Sequence, residues 1–244
     1  MPCLTTRLRG GGLPPKTLCL TYDDGPGRTA GPGLGPRTDE LGAYLFAQGI
    51  PATFFVLGQR AATAADLLAQ LRGWGHRIAN HTATHADLPA LLPDSAAVVA
   101  EVAEVADDHE GDPLLLRPPF GAWSSEVATI LAADPRTRRY TGPVLWDVDG
   151  KDWEHWRDGA TAETCADAYF ARIEEAGSGI VLLHDSSAEE ALARVNNTYA
   201  LTRLLVPRLV KHGYRFLPLD EAPEIRAALQ AQTSPAATPA GALP

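Results

Sequence analysis

The chain of 244 residues is long enough to bury a full core, as one large α/β domain or as two small ones. Hydrophobic residues at 45% and charged residues at 21% exclude wholesale disorder and fibrous classes. With 21 basic against 30 acidic side chains the formal net charge is −9, which argues against nucleic-acid or anionic-membrane partners, and no apolar run nears the ~20 residues that span a bilayer.

Residues 1–15 read as an N-terminal extension. Arg7 and Arg9 are followed by Gly10, Gly11 and Gly12 and then Pro14 and Pro15, with no apolar stretch of the secretory kind. Taken as it stands, this predicts a cytoplasmic protein, or an extracytoplasmic one if a leader has been removed. The first β-prone run is 17–22, followed by Asp23 and Asp24 and a Gly/Pro-rich stretch from Gly25 to Pro36. Thr38 is placed to cap a helix that opens with Asp39 and Glu40, carries Leu41, Tyr44 and Leu45 on one side and stops at Gly49. A second strand is read over 52–57, a helix from Arg60 to Arg72, and a third strand over 76–80. Asp94 or Ser95 starts a helix that continues through Val98, Val102 and Val105 towards His109.

A fourth strand is read over 114–116, a helix over Ser124–Ala133, a fifth strand over 144–148, and a helix over Thr161–Ala176. Gly179–Leu183 is the sixth strand. Tyr199–His212 is a helix that Pro207 is expected to kink or divide, and 214–217 is the seventh strand. A short helix over 223–232 and a loose tail over 233–244, poor in core residues, close the chain. Three cysteines, Cys3, Cys19 and Cys165, are odd in number and contain no C-x-x-C pair, so they make neither a disulfide framework nor a cysteine zinc site. The alternation of strand and helix, with strands apolar on both faces, predicts an α/β fold of parallel strands joined by right-handed crossovers. About seven strands in one uninterrupted alternation favour a single barrel-like domain over 16–222.

Parallel strands bring their C-terminal ends to one face, and most polar clusters of this chain stand there. Asp23 and Asp24 follow the first strand, His81 and His85 the third, Arg117 the fourth, Asp149 to Trp153 the fifth, and His184 and Asp185 the sixth. His81 and His85 are four apart, so on one helical turn both imidazoles face the same way and can bind one cation, with a carboxylate suited as third ligand. The same spacing also fits a structural or surface pair. Asp23 and Asp24 suit a turn, but two adjacent carboxylates repel, and a divalent cation would relieve that cost. Arg117 also reads as a surface arginine before a rigid loop, and His184 as a hydrogen-bonded core histidine. Trp153 and Trp156 read as rim or core aromatics.

Five segments in this order resemble the motifs of the polysaccharide deacetylases, the NodB-homology or carbohydrate esterase family 4 enzymes. They are Thr21-Tyr22-Asp23-Asp24-Gly25-Pro26, His81-Thr82-Ala83-Thr84-His85, Arg117-Pro118-Pro119-Phe120, Asp149-Gly150-Lys151-Asp152-Trp153 and Leu182-Leu183-His184. The segment 51–58 resembles the family's second strand, and the likeness runs from about Lys16 to Asp220. The resemblance implies a distorted (β/α) barrel and metal-dependent removal of acetyl groups from N-acetylated, sometimes O-acetylated, sugars such as chitooligosaccharide or peptidoglycan-type glycans. It implies Asp24, His81 and His85 as ligands of a divalent metal, zinc first and cobalt second, and Asp23 as general base. It further implies His184 as general acid partnered by Asp152, Arg117 paired with Asp23, and the Phe120 backbone N–H as an oxyanion donor. Leu182 and Trp153 would line a slot for the acetyl methyl, and Trp156, on the same face, is a candidate sugar contact.

Those roles agree with elementary chemistry. A cation in an open site makes hydroxide available near neutrality, a carboxylate beside it can accept the proton, and an amine leaves only once protonated. Neither Pro118 nor Pro119 has an N–H, so Phe120 carries the first donor after Arg117. The glycine-rich loop over 27–35 looks longer than the family's usual one and is expected beside the metal, shaping or covering the groove. Alternatives on the same fold are an amidase of small non-sugar amides and an O-acetyl esterase of xylan-type glycans. A non-catalytic sugar-binding module has no use for an acid–base pair, and a glycosidase using Asp23 and Asp152 would need no metal. The sequence sets no oligomeric state.

Overall fold

The computed structural model describes residues 6–105 and 111–233. Its centre is β1 (Thr17–Asp23), buried at every position and therefore in need of cover on both faces. The chain continues through α1 (Thr38–Ala47), β2 (Ala52–Val56), α2 (Gly58–Ala61), α3 (Ala65–Gly73) and β3 (Arg77–Asn80). Next come α4 (Ser95–Ala103), α5 (Ser125–Ala133), β4 (Val148–Asp149), α6 (Asp152–Arg157), α7 (Ala162–Ala176) and β5 (Gly179–His184). The last elements are α8 (Glu190–Arg194), α9 (Thr198–Lys211), β6 (Arg215–Phe216) and α10 (Pro223–Thr233).

The sheet order is β3-β2-β1-β5-β4, with β6 beside the start of β1, and every pairing is parallel. The fourth expected strand joins only through isolated bridges, Asn80 to Leu116 and Leu115 to Thr141. Pro113, Pro118, Pro119 and Pro143 flank or interrupt these segments, and a proline has no N–H to give a ladder. Irregular hydrogen bonds nevertheless close the ring: Val144 N–H donates to Leu116 O and Asp147 N–H to Ile180 O, both at 2.9 Å. The result is a distorted barrel.

Strand alternation sorts the side chains. Leu18, Leu20 and Tyr22 of β1 face outward into a core shared with α1, α3, α7 and α9, where Leu41, Leu45, Leu71, Tyr169, Leu201 and Leu205 pack. Cys19 joins Phe55, Ala79, Leu115 and Ile180 inside the barrel, whose floor Leu8, Leu13, Leu219 and Ile225 seal. Thr21 and Asp23, on the same face as Cys19, therefore climb the interior towards the C-terminal mouth.

Helix starts follow local chemistry. Asp94 accepts from the Ala96 and Ala97 N–H groups, Ser124 from Val127 and Thr161 from Thr164, while Gly177, at φ 73°, ends α7. Three expectations are corrected. Thr38 is the first residue of α1 and no cap; its hydroxyl is buried between the Gly27 N–H and Asp185. The helix expected from Arg60 to Arg72 is two, α2 and α3, and Thr63 Oγ1 bonds the Arg60 carbonyl at the break. Pro207 leaves α9 undivided: Pro207 and Arg203 lie on its exposed side, where water can take the freed carbonyl, while Leu205, Val206 and Leu209 hold it to the core. A helix does run over the expected C-terminal stretch, as α10. Cys3, His109 and the expected tail, apart from Thr233, lie outside the described residues. No helix among the described residues is long and apolar enough to cross a membrane.

Candidate active site

Asp23, the last residue of β1, stands level with His184 of the neighbouring β5, so the strand register alone brings the two side by side at the mouth. A cleft of about 380 Å³ opens there, lined by Asp23, Asp24, His81, His85, Phe120, Trp153, Leu182 and His184 among others.

One oxygen, Asp24 Oδ1, lies 3.3 Å from His81 Nε2 and 3.1 Å from His85 Nε2. All three ligand atoms fall within 4.8 Å of one another, and Asp24 Oδ1 is buried without a hydrogen bond of good geometry. His81 Nδ1 lies 2.8 Å from the Arg117 carbonyl, which can only accept, so Nδ1 carries the proton and Nε2 offers a lone pair to the cluster. Burial alone would raise the Asp24 carboxyl, yet the two imidazoles hold it well below the usual carboxylate range. Burial alone would lower His81, yet the charges of Asp23 and Asp24 raise it. The raised His81 says that the two acids favour positive charge at this point, the lowered Asp24 says that it stays a carboxylate there, and a carboxylate with two imidazoles is a donor set that suits zinc.

These residues are not on a helical turn. Residues 81–87 form a loop in which Thr82 (φ 72°) and His85 (φ 71°) are left-handed. Asn80 Oδ1 accepts the Thr82 N–H at 2.8 Å, and Thr82 Oγ1 accepts the His85 N–H at 3.2 Å; these turns aim both rings. Asp24 (φ 73°) and Phe120 (φ 59°) are left-handed as well, so four non-glycine residues in a costly conformation surround one point.

On one side of the cluster stands a buried ion pair. Arg117, 0% exposed, donates from Nη1 to Asp23 Oδ1 at 2.7 Å and to Thr21 Oγ1 at 2.8 Å; Nε and Nη2 reach the Val144 and Leu145 carbonyls. Asp23 Oδ2 is left towards the cluster, 3.7 Å from His81 Nε2. On the other side, His184 Nδ1 and Asp152 Oδ1 are 2.7 Å apart. Asp152 also accepts from the His184 and Trp153 N–H groups and from Thr198 Oγ1. Burial would lower His184, but the Asp152 charge and hydrogen bond outweigh it and the imidazole is pushed up to about 10. Beyond Pro118 and Pro119, the Gly121 and Ala122 N–H groups bond back to the two proline carbonyls. The Phe120 N–H has no partner among the described residues, and its ring, 69% exposed, stacks edge-on against His85.

Leu182 and Trp153 both line the cleft. Trp156 does not. It is 3% exposed in the core, where its Nε1–H donates to Thr198 Oγ1 at 3.1 Å behind Asp152. The glycine-rich loop is also elsewhere: Arg37 gathers the Gly31 and Gly33 carbonyls and Gly35 N–H bonds Asn196 O, so the loop packs beside α9 and lines no part of this cleft. A wall of Ser186, Ser187, Ala188, Glu189 and Leu192, together with Trp146, was missed. For residues 186–192 the signal was available, because they continue directly from the end of β5.

The family model of the polysaccharide deacetylases matches residues 10–137. A chitooligosaccharide deacetylase of Sinorhizobium fredii is 32% identical over 226 residues, covering 86% of this chain and 93% of that protein. Among solved structures, a chitin deacetylase from Colletotrichum lindemuthianum superposes with a TM-score of 0.66 at 25% identity, covering 85% of this chain and 87% of its own. The Bc1960 peptidoglycan N-acetylglucosamine deacetylase shares the fold with a TM-score of 0.67 at 23% identity, covering 85% and 88%. The chain belongs to the polysaccharide deacetylase family and is a deacetylase.

Proposed function

We propose that the chain removes acetyl groups from N-acetylglucosamine-containing glycans of the chitooligosaccharide or peptidoglycan type. The observation that carries this is the Asp24, His81 and His85 cluster, flanked in one cleft by the Asp23–Arg117 pair and the His184–Asp152 pair. The names of the relatives support the sugar class. A divalent cation held by Asp24, His81 and His85, zinc first and cobalt second, supplies Lewis acidity towards water and the acetyl carbonyl.

The chain's own groups do the rest. Asp23 Oδ2 takes the proton of the attacking water, while Arg117, on Oδ1, keeps the carboxylate oriented. The Phe120 N–H points its dipole at the charge that gathers on the carbonyl oxygen. His184, held as imidazolium by Asp152, gives its Nε2 proton to the departing amine, which is a poor leaving group until it receives one. Leu182 and Trp153 take the acetyl methyl and keep bulk water off the carbonyl.

Acetate release from N-acetylchitooligosaccharides, from acetylated xylan and from small acetamides tests the reading. Release from the first set above both others is expected. Release confined to small acetamides would make the chain an amidase, and release confined to xylan an O-acetyl esterase.

A further inference from the structure

We propose that Asp185 is a positioning residue for Asp24, acting through the turn that links β1 to α1 and setting the affinity of the cluster for its cation. The inference rests on the metal reading of Asp24, His81 and His85. Asp24 has a left-handed backbone, and its Oδ1 takes no orienting hydrogen bond. The side chain is therefore aimed by the turn over 24–27, and a strained turn persists only where its surroundings hold it.

Asp185 supplies that hold. It is 2% exposed and lines no part of the cleft, so contact with substrate does not explain it. Its Oδ2 accepts the Thr38 hydroxyl, whose oxygen accepts the Gly27 N–H at 3.0 Å, and the Thr38 N–H returns to the Gly27 carbonyl at 3.0 Å. The carboxylate is also pressed against Gly25, where a Cβ would stand 2.1 and 2.6 Å from its two oxygens. Gly25 is pinned on its other side by the Leu57 N–H at 2.9 Å. One buried acid thus fixes both residues that bracket the turn, and Asp24 inherits its aim from them. Its second oxygen, buried without a hydrogen bond, marks it as a costly group to keep for packing alone.

Competition of the folded, metal-free protein against a chromogenic chelator for Zn²⁺ tests this. D185A and T38V are expected to weaken Zn²⁺ binding about 10–100-fold, as loss of groups behind metal ligands does. Excess Zn²⁺ should restore their turnover without moving the pH profile, and D185N, which keeps the shape and an acceptor for Thr38, should stay within a few-fold of wild type. T38V keeps the question measurable if D185A does not fold. Unchanged Zn²⁺ affinity in the variants with only a lower melting temperature would overturn the proposal. Absence of Zn²⁺ binding in wild type, matched by H81A, would overturn the metal reading and this inference with it.

Discussion

Arg117 and Asp23 meet at 2.7 Å at the top of the barrel interior, one 0% and the other 3% exposed at the side chain. The pair sits one register step above Thr21, which the same guanidinium also bonds, and the Phe55 ring lies 4.1 Å beneath it. Each guanidinium nitrogen has an acceptor, so the charge is buried at a tolerable cost and one oxygen of Asp23 is committed.

Removing the guanidinium is therefore expected to cost both stability and rate. Arg117→Met strands a buried carboxylate and should lower unfolding stability by about 3–5 kcal/mol in urea titrations. Turnover should fall by roughly 10² or more, the range that general acid–base groups supply. Arg117→Lys keeps the charge but not the fork, so it should recover part of the stability and little of the rate. An Arg117→Met protein as stable and active as wild type would show that Asp23 needs no partner.

The His184–Asp152 pair makes a pH prediction. The folded imidazole titrates near 10 against an ordinary value of 6.5. Its contribution to stability is thus fully present below 6.5 and is lost as pH rises from there through 10. As the proposed proton donor, His184 is expected to stay charged across neutrality, which puts the alkaline limb of kcat above pH 7. A cation bound at the proposed ligands Asp24, His81 and His85 would add positive charge nearby and draw that limb below the metal-free value. Asp152→Asn removes the charge that raises His184 and should move the limb at least one unit towards acid. NMR titration of His184 and kcat–pH profiles check this; an unmoved limb in Asp152→Asn would end the pairing argument.

Much of this site could be read from order alone, because parallel strands deliver Asp23, His81, Arg117, Asp152 and His184 to one mouth whatever the details of the turns. The turns themselves could not. A spacing of four suggests a helix at His81 and His85, but Asn80 and Thr82 offer the backbone local side-chain hydrogen bonds, and these win. Arg117 was open to a surface reading because its cover comes from Thr21, Phe55 and residues 144–145, all distant in sequence. The wall over 186–192 has no patterned spacing; only its place after β5 marks it.

Trp153 and Trp156 looked alike in sequence, and the structure separates them into different experiments. Trp153 lines the cleft with Arg157 over its ring at 5.1 Å, so Trp153→Ala should raise KM several-fold. Trp156 reaches Asp152 only through Thr198. Trp156→Phe should leave KM unchanged, lower kcat a few-fold, and cost on the order of 1 kcal/mol for the lost hydrogen bond. A raised KM in Trp156→Phe would return that ring to the substrate side.

The division of labour between neighbouring carboxylates gives the sharpest outcome. Asp24 faces both imidazoles, whereas Asp23 is turned to Arg117 and keeps only Oδ2 near the cluster. Asp23→Asn keeps the size and an oxygen for Arg117, so Zn²⁺ content after dialysis should match wild type while turnover falls by about 10²–10⁴. His81→Ala removes a proposed ligand and should lose both bound Zn²⁺ and turnover. Dialysis of wild type against a chelator should abolish acetate release, with Zn²⁺ or Co²⁺ restoring it. Asp23→Asn with near-normal turnover would take the base away from Asp23, and full activity after exhaustive chelation would leave Asp23 and Asp152 to be tested as a metal-free carboxylate pair.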